Sequence, residues 1–358
     1  MRLYDIAYAV DLAAAEALWL RSAGSPGSRS QLSSAPTKSL AFGVAPVWLE
    51  LGAVELQAGS ATLAAVMGAR LYDFGVVALA LRVPVADRPW DDFVRLCNAV
   101  DKAAGPAAAN PLWEQQLGRL RGALAAALQR PNSSSLQEDY LLASVHQWSE
   151  PSSVKDLLER VDLAPLLSGE QRALSEPARR SLLRHRFSYF EDDLVVLTWD
   201  RAFIYEPRND ADVADVVEVA NAQLLELRYY DELLDAELPR MYDLVEDTRR
   251  TLYLFAPRRL AGLARKLYAL VAEVTELTEK VDNALQVTED VYLARVYSEA
   301  LEVFRVPSFG AAVNRKLAII RDTYTALYDE AFGRRGEIIE LAIVALILVE
   351  LVVAVLRH

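Results

Sequence analysis

Runs of apolar residues, either continuous or alternating with polar ones, dominate the first half of the chain. Such runs predict β-strands, whereas apolar residues at every third or fourth position predict helices. Asp11 follows the first strand and is well placed to cap the Ala- and Leu-rich helix after it. A stretch rich in Ser, Gly and Pro, 24–38, predicts a mobile loop. The predicted strands are 3–10, 47–56, 71–85, 140–148 and a hairpin over 193–205, and the predicted helices are 88–104 and 111–129.

The second half of the chain, 210–332, has a helical period almost throughout. Two series of apolar positions follow the heptad spacing of coiled coils, and the turn-forming segment 307–310 lies between them. They predict an antiparallel helical hairpin, a coiled-coil stalk to which a helix over 211–237 adds a third member. Packing within one chain and association between copies both remain open for this seam. The two series are Leu260, Leu263, Leu267, Leu270, Val274, Leu277, Val281 and Ala284, and then Val313, Leu317, Ile320, Tyr324, Leu327 and Ala331.

The end of the chain is apolar at every position of 338–356 except Glu340 and Glu350. As a helix this run extends roughly 28 Å, close to the ~30 Å hydrocarbon core of a bilayer. It predicts a transmembrane anchor over 337–356, with a buried core helix as the alternative. Because a carboxylate deep in a bilayer is costly, Glu350, together with Glu340 and Arg357, is the candidate contact between membrane helices.

These patterns together predict an α+β protein in three parts. The parts are a mixed α/β globular domain over 1–207, the helical bundle or coiled-coil stalk over 210–332, and the anchor over 337–356. The predicted localisation is a single-pass, tail-anchored membrane protein in the lipid bilayer. The bulk of the chain is expected on the cytoplasmic side, or on the matrix side in a mitochondrion.

Charge and cysteine content narrow the classes of partner. The net charge of −12 argues against a broad nucleic-acid surface, which needs clustered Lys and Arg. The single cysteine, Cys97, forms no internal disulfide, which is typical of a reducing compartment. One basic segment stands against the acidic background, and it is either a solvated face or a patch for a polyanion or protein partner. Its candidate residues are Arg179, Arg180, Arg184 and Arg186.

No motif in the chain carries recognisable chemistry. The three histidines, His146, His185 and His358, are isolated, and no Gly-rich phosphate loop, G-x-S-x-G or H-E-x-x-H occurs. Cys97 lies on a helical pattern, where a buried structural thiol is the simpler interpretation. The sequence therefore predicts no metal, no cofactor and no catalytic residue, and a protein that is not an enzyme.

Three segments carry a family resemblance: 4–12 (YDIAYAVDL), 72–77 (YDFGVV) and 335–350 (RGEIIELAIVALILVE). They resemble the "required for meiotic nuclear division" family, a domain-of-unknown-function family with a mixed α+β domain, long helices and a C-terminal membrane segment. The chain looks like a bacterial member. The resemblance implies an oligomeric, membrane-anchored support protein, and the family supplies no established catalytic residues.

The function expected from these observations is a non-enzymatic, membrane-tethered scaffold that forms homo-oligomers and holds an unknown protein partner near the membrane. One alternative is a transport or channel component built from bundled C-terminal anchors. Another is an enzyme with an unrecognised site in the α+β domain, which would need a deep polar pocket among the strands.

Overall fold

The computed structural model describes residues 1–23, 27–29, 40–108, 110–149, 153–208, 211–249, 256–282, 285–287 and 291–356. The predicted loop 24–38 lies outside the described residues except for 27–29, and Arg357 also lies outside them.

Strands and helices alternate through the first 205 residues, and helices dominate afterwards. Strands β1 to β14 are Arg2–Asp5, Ala7–Val10, Ser28–Arg29, Leu40–Phe42, Val47–Ala58, Ala61–Leu71, Val76–Arg82, Leu128–Pro131, Gln137–Asp139, Leu141–Val145, Arg186–Phe187, Leu194–Leu197, Arg201–Tyr205 and Leu285–Val287. Helices α1 to α10 are Leu12–Ala23, Trp90–Ala104, Leu112–Leu124, Val154–Arg160, Ala164–Ser168, Glu176–Leu182, Asp212–Arg249, Ala256–Asp282, Val291–Val303 and Val306–Leu356. The prediction of a mixed α+β fold is confirmed.

The first sheet is built around a long antiparallel hairpin of β5 and β6. Its strand order is β3-β5-β6-β7-β1-β9. Trp19 from α1 and Trp113 from α3 are buried against it with Leu49 and Leu71. Full burial of a large apolar side chain contributes about 1.5–3 kcal/mol, so this cluster is a principal source of stability. Asp11 accepts a hydrogen bond from the Ala14 N–H at 3.0 Å, which confirms the predicted helix cap.

The predicted strand over 71–85 is interrupted by a turn. β6 ends at Leu71 and β7 begins at Val76, with a tight turn between them. Gly75 has a φ of 100°, and a Cβ there would lie 1.8 Å from the carbonyl oxygen of Ala7. Only glycine tolerates this approach. The strand predicted over 71–85 is therefore confirmed for Val76–Arg82, whereas 72–75 form the turn before it.

The second sheet has the strand order β10-β13-β12-β11, in which β10 runs parallel to β13. β12 and β13 form the hairpin predicted over 193–205. Phe203 and Val196 are buried with Phe93 of α2, Leu157 of α4 and Leu166 of α5. The two-residue strand β11 stands at the edge of this sheet.

The chain divides into two compact units. Unit 1 contains Met1–Tyr229 and Lys280–Pro307, and unit 2 contains Tyr230–Glu279 and Ser308–His358. The first and second sheets belong to unit 1, as do the two-stranded sheets β14-β4 and β2-β8 and the helices that cover the two larger sheets. Unit 2 is formed by the second half of α7, most of α8 and most of α10.

In unit 2, three helices lie side by side. Lys316 Nζ of α10 lies 2.6 Å from Asp231 Oδ1 and 2.7 Å from Asp235 Oδ1, both on α7. The rings of Tyr268 on α8 and Tyr324 on α10 are 5.8 Å apart. Of the predicted heptad positions that the structure describes, Leu270 and Tyr324 are half-buried and the others are buried: Leu263, Leu267, Val274, Val313, Leu317, Ile320 and Leu327.

The break before α10 falls earlier than the sequence predicts. α9 ends at Val303 and α10 begins at Val306, with Arg305 at a φ of 58° between them. Pro307 lies in the first turn of α10, where its missing N–H removes no helical hydrogen bond. The predicted turn over 307–310 is therefore wrong, because a proline there opens a helix as readily as it ends one.

The expected membrane anchor is corrected by the structure. Across the described residues, no helix combines the length and the apolar content that crossing a bilayer requires. Glu340 and Glu350 leave only the stretch 341–349 uninterrupted between them, and as a helix this extends about 14 Å, less than half of a hydrocarbon core. The predicted anchor over 337–356 and the tail-anchored, single-pass membrane localisation are wrong on this finding.

Candidate functional site

A groove on unit 1 lies between helix α4 and the edge strand β11. Ser153 caps α4 through a reciprocal capping box with Asp156, and the Val154 N–H donates to the carbonyl oxygen of Glu191 at 2.8 Å. These contacts fix the helix beside the strand. The groove has a volume of about 850 Å³, and its lining residues are Ser153, Val154, Lys155, Leu158, Glu159, Arg186, Phe187, Ser188, Glu191 and Leu194.

The groove has an apolar floor and a charged rim. Phe187 and Leu194 are buried in the floor, and Leu158 is half-buried. Lys155 and Arg186 are exposed on the rim, as are Glu159 and Glu191. Within the described part of the chain, neither cation has an ion-pair partner. Glu159 and Glu191 have no ion-pair partner there either, so two free cations and two free carboxylates surround the apolar floor. Such a concave surface is suited to a ligand with apolar groups and with charges at matching positions.

The four predicted arginines of the basic patch have different surroundings. Arg179 donates two hydrogen bonds to the carboxylate of Asp162, at 2.8 and 3.0 Å. Partial burial raises the pKa of Asp162, but the hydrogen bonds from Arg179 outweigh it and hold this pKa below its ordinary value. Arg180 Nε lies 3.8 Å from Glu176 Oε1. Arg184 is exposed, and Arg186 lines the groove. Of the four, Arg186 is the one that lines the groove between α4 and β11.

Exposed aromatic side chains follow the groove along the chain. Tyr189 and Phe190 are 65% and 44% exposed, and their rings meet edge to face at 4.8 Å. Arg208 stacks over Phe190 at 4.6 Å, and Arg295 lies over Phe187 at 5.5 Å. Aromatic and arginine side chains are the types most often found at the energetic centres of protein interfaces.

The predicted contact residues on α10 lie on an exposed helix. Glu340 and Glu350 are both exposed, and the large apolar side chains around them are exposed as well. Glu350 borders a shallow depression of about 370 Å³ on the helix surface. Its other lining residues are Ile343, Leu346, Ile347, Val349 and Val353.

A buried charge network joins α7 to the first sheet. Arg70 Nη1 lies 2.7 Å from Asp215 Oδ1 and 3.5 Å from Glu218 Oε2, and the Tyr72 hydroxyl donates to Glu218 Oε1 at 2.9 Å. Burial raises the pKa of Glu218 and raises that of Tyr72 well above its ordinary value. Burial lowers the pKa of Arg70, but the attraction of Glu218 outweighs it and raises the value. These side chains are inaccessible to a large ligand, so we assign them to holding α7 in place.

A second buried cation, Arg201 of β13, ties the second sheet to its helices. Its Nη1 donates to Asn98 Oδ1 at 2.7 Å and to the Leu166 carbonyl oxygen at 2.8 Å, and its Nη2 donates to Asp101 Oδ2 at 2.6 Å. Sequence reasoning did not single out Arg70 or Arg201. Each is a lone arginine in an otherwise apolar strand, and that pattern was the available signal of a buried ion pair.

The described residues contain no group of three or more His, Cys, Asp or Glu side chains placed to hold a metal ion. Cys97 is buried in the core of the second sheet, and burial raises the pKa of its thiol to about 12. A thiol in this environment is held in its protonated, unreactive form.

Comparison with known proteins relates the chain to an archaeal protein. Residues 1–212 match the family model described as the N-terminal domain of uncharacterized protein MJ0711. The chain is 26% identical over 232 residues to the uncharacterized protein MJ0711 of Methanocaldococcus jannaschii, covering 64% of this chain and 70% of that protein. No solved structure gives a significant match.

The matches correct the resemblance drawn from 4–12, 72–77 and 335–350. The family found is not the "required for meiotic nuclear division" family, and the similar protein is archaeal, so the expected bacterial membership of that family is wrong. The three segments are short and mostly apolar, and buried strands and helices of unrelated proteins draw on the same few residue types. Because residues 1–212 are more than half of the 358-residue chain, the protein belongs to the family of the MJ0711 N-terminal domain.

Proposed function

We propose that the protein is a non-enzymatic scaffold that self-associates through the C-terminal part of α10 and holds a partner protein on unit 1. The observation that carries the proposal is a run of exposed apolar side chains on α10, here called the apolar run. Its members are between 46 and 69% exposed: Ile339, Leu341, Ile343, Val344, Leu346, Ile347, Leu348, Val349, Leu351 and Val353.

The size of the apolar run supports association. It exposes on the order of 1,000 Å² of apolar surface, whereas monomeric proteins rarely expose contiguous patches above a few hundred Å². A standard protein interface buries about 800 Å² on each partner. Covering the run therefore removes from water an area that is sufficient for a stable complex.

A second copy of the chain is the occupant that the heptad pattern favours. Val313, Leu317, Ile320 and Leu327 bury one face of α10 within unit 2. Continuing the same steps of three and four along the helix reaches Leu341 and Leu348, which are exposed. The equivalent helix of another copy has the same length and the same spacing, as self-complementary interfaces require. The stalk predicted over 210–332 fits this role, and we propose it as the support for the run.

The mass of the purified full chain in solution tests the proposal. We expect light scattering after size exclusion to give a multiple of the 39.7 kDa chain mass. The double variant Leu341→Glu/Leu348→Glu should shift the mass toward one chain, because it places charges on the proposed seam. The matched control, Val66→Glu/Val85→Glu, also replaces two exposed apolar residues but lies in unit 1, and it should retain the multiple mass.

A monomeric mass for the unmodified chain at micromolar concentration would contradict self-association. So would equal dissociation of the seam variant and the control, since that result would show a general effect of added charge. Binding of a monomeric chain to lipid vesicles would also count against a second copy as the cover. Circular dichroism checks that each variant keeps its helix content.

A further inference from the structure

We propose that the groove between α4 and β11 binds an extended segment of a partner protein that carries acidic side chains. The proposal rests on the scaffold role for the existence of a partner, and it names the surface and the chemistry by which that partner is held. It uses residues of unit 1, whereas self-association uses α10 in unit 2. The two can therefore fail separately.

The edge position of β11 favours an extended ligand. β11 pairs with β12 on one side, and within the described residues no strand pairs with its other side. Arg186, Phe187 and Ser188, which are consecutive along this edge, all line the groove. An exposed strand edge presents unpaired N–H and C=O groups to which a partner strand can be added.

The floor of the groove suits the side-chain alternation of a strand. Every second side chain of an added strand points to the same side. Leu158, Phe187 and Leu194 give those side chains an apolar surface, and about 850 Å³ is enough for several of them. Tyr189 and Phe190 follow directly on the chain and supply exposed aromatic surface beside it.

Two unpaired cations in the lining give positions that attract acidic side chains. Lys155 and Arg186 line the groove without an ion-pair partner in the described part of the chain, whereas nearby Arg179 and Arg208 are paired with Asp162 and Glu206. Acidic side chains of a bound segment would complement the two free cations and speed its association.

Two carboxylates in the lining, Glu159 and Glu191, restrict where the acidic groups of a ligand can lie. Glu159 is one helical turn from Lys155 on α4. An acidic side chain is attracted at the cations and repelled at these carboxylates, so recognition depends on the spacing of the ligand charges. This dependence separates a peptide site from a surface that attracts any polyanion.

Fluorescence anisotropy with labelled synthetic peptides tests the inference on the full chain. The probes are nine-residue peptides of valine and threonine that carry two glutamates separated by two, four or six positions. A matched set carries lysines in place of the glutamates. We expect saturable binding of at least one glutamate peptide, at least tenfold tighter than its lysine counterpart.

Charge reversal in the groove should reverse this preference. Lys155→Glu/Arg186→Glu is expected to weaken the glutamate peptide at least tenfold and to favour the lysine peptide. Arg180→Glu is the control, because Arg180 is an exposed arginine of the same basic segment that does not line the groove. It should change the affinity less than twofold. Both variants alter exposed side chains, so they are expected to fold normally.

A peptide N-methylated at every interior amide tests strand addition, since it keeps the side chains but has no interior N–H to donate along either edge. It should lose at least tenfold in affinity. The inference is overturned by the absence of saturable binding of every glutamate peptide, by equal binding of the N-methylated peptide, or by a polyuridine oligonucleotide that competes as well as the peptide. If the variant Leu341→Glu/Leu348→Glu loses self-association but still binds the peptide, the groove works independently of self-association.

Discussion

Tyr72 and Glu218 form a hydrogen bond of 2.9 Å although 146 residues separate them in the chain. The bond joins the end of the first sheet to the first half of α7, and Arg70 adds an ion pair at the same place. The three side chains are buried together, and the Arg70 guanidinium offsets the charge of the Glu218 carboxylate, although Arg70 Nε has no hydrogen-bond partner in the described part of the chain. Such a network fixes one position of the helix, because any other leaves a buried charge unpaired.

We expect Tyr72→Phe to lower the free energy of unfolding by about 1–2 kcal/mol, because it removes a donor from a buried carboxylate. All six tryptophans lie in unit 1, so tryptophan fluorescence during urea unfolding reports on that unit. Tyr189→Phe, at an exposed position, is the control and should change stability by less than about 0.5 kcal/mol. In a double-mutant cycle with Glu218→Gln, strictly additive effects would contradict a direct interaction.

Asp5 gives unit 1 a defined pH dependence. Burial raises the pKa of Asp5 to about 6, although hydrogen bonds with Asn132 and Ala7 partly oppose the shift. The folded protein therefore favours the protonated carboxyl. Its contribution to stability is complete below the ordinary pKa near 4 and is lost as the pH rises through 6. We expect Asp5→Asn to be more stable than the natural protein by about 2–3 kcal/mol at pH 8.

The same comparison at pH 3 should show almost no difference, since the natural carboxyl is then mostly protonated in both the folded and the unfolded chain. Urea unfolding followed by tryptophan fluorescence measures both values. A stability difference that stays constant from pH 3 to pH 8 would show that Asp5 does not titrate differently on folding.

Arg201 should not be replaceable by lysine. Its guanidinium donates in separate directions to Asn98, Leu166 and Asp101, a geometry that a single ammonium group cannot reproduce. We expect Arg201→Lys and Arg201→Met each to cost about 3 kcal/mol in unit 1 stability, because buried acceptors lose their partner. Arg172→Met, at an exposed arginine, is the control. Full stability of Arg201→Lys in urea unfolding would show that charge alone is needed.

Two glycines should respond in opposite directions to alanine. Gly169 has a φ of 70°, and a Cβ there would lie 2.5 Å from Arg201 Nη2, so Gly169→Ala should destabilise unit 1 by more than about 1 kcal/mol. Gly118 lies inside α3 with open space around its Cα, so Gly118→Ala should stabilise by about 0.5–1 kcal/mol. Thermal unfolding of the two variants measures whether each change lowers or raises the stability. A change in the same direction for both variants would contradict the different backbone environments of the two glycines.

Glu350 remains a predicted contact between copies, and its test depends on self-association. Glu350 lies two residues after Leu348 and so faces away from the seam of Leu341 and Leu348, which means that it meets another copy only where more than two helices pack together. A carboxylate brought into such an apolar interface loses hydration, so in that assembly we expect Glu350→Leu to lower the concentration at which the oligomer dissociates by at least tenfold. Asp322→Leu, which removes an exposed carboxylate of α10 before the apolar run, is the control. Light scattering at a series of protein concentrations measures the dissociation curve of each variant. An unchanged curve for Glu350→Leu would remove this residue from the contact.

The sequence by itself was enough for features set by local chemistry. The Asp11 cap, the hairpin over 193–205 and the heptad faces of α8 and α10 follow from residue type and spacing within a few turns of chain. Strand β6 was missed because its Ala-rich sequence, which also contains Gly68, has weak strand propensity, and its pairing with β5 and β7 overrides that preference.

Only the tertiary structure decided which distant residues meet. Arg70 with Glu218, Arg201 with Asp101 and the groove between α4 and β11 each join segments whose separation along the chain carries no local signal. The tertiary structure also separated Arg186, in the groove, from Arg179, which is paired with Asp162. Spacing encodes the period of a helix or strand, whereas long-range pairing depends on burial and charge balance over the whole fold.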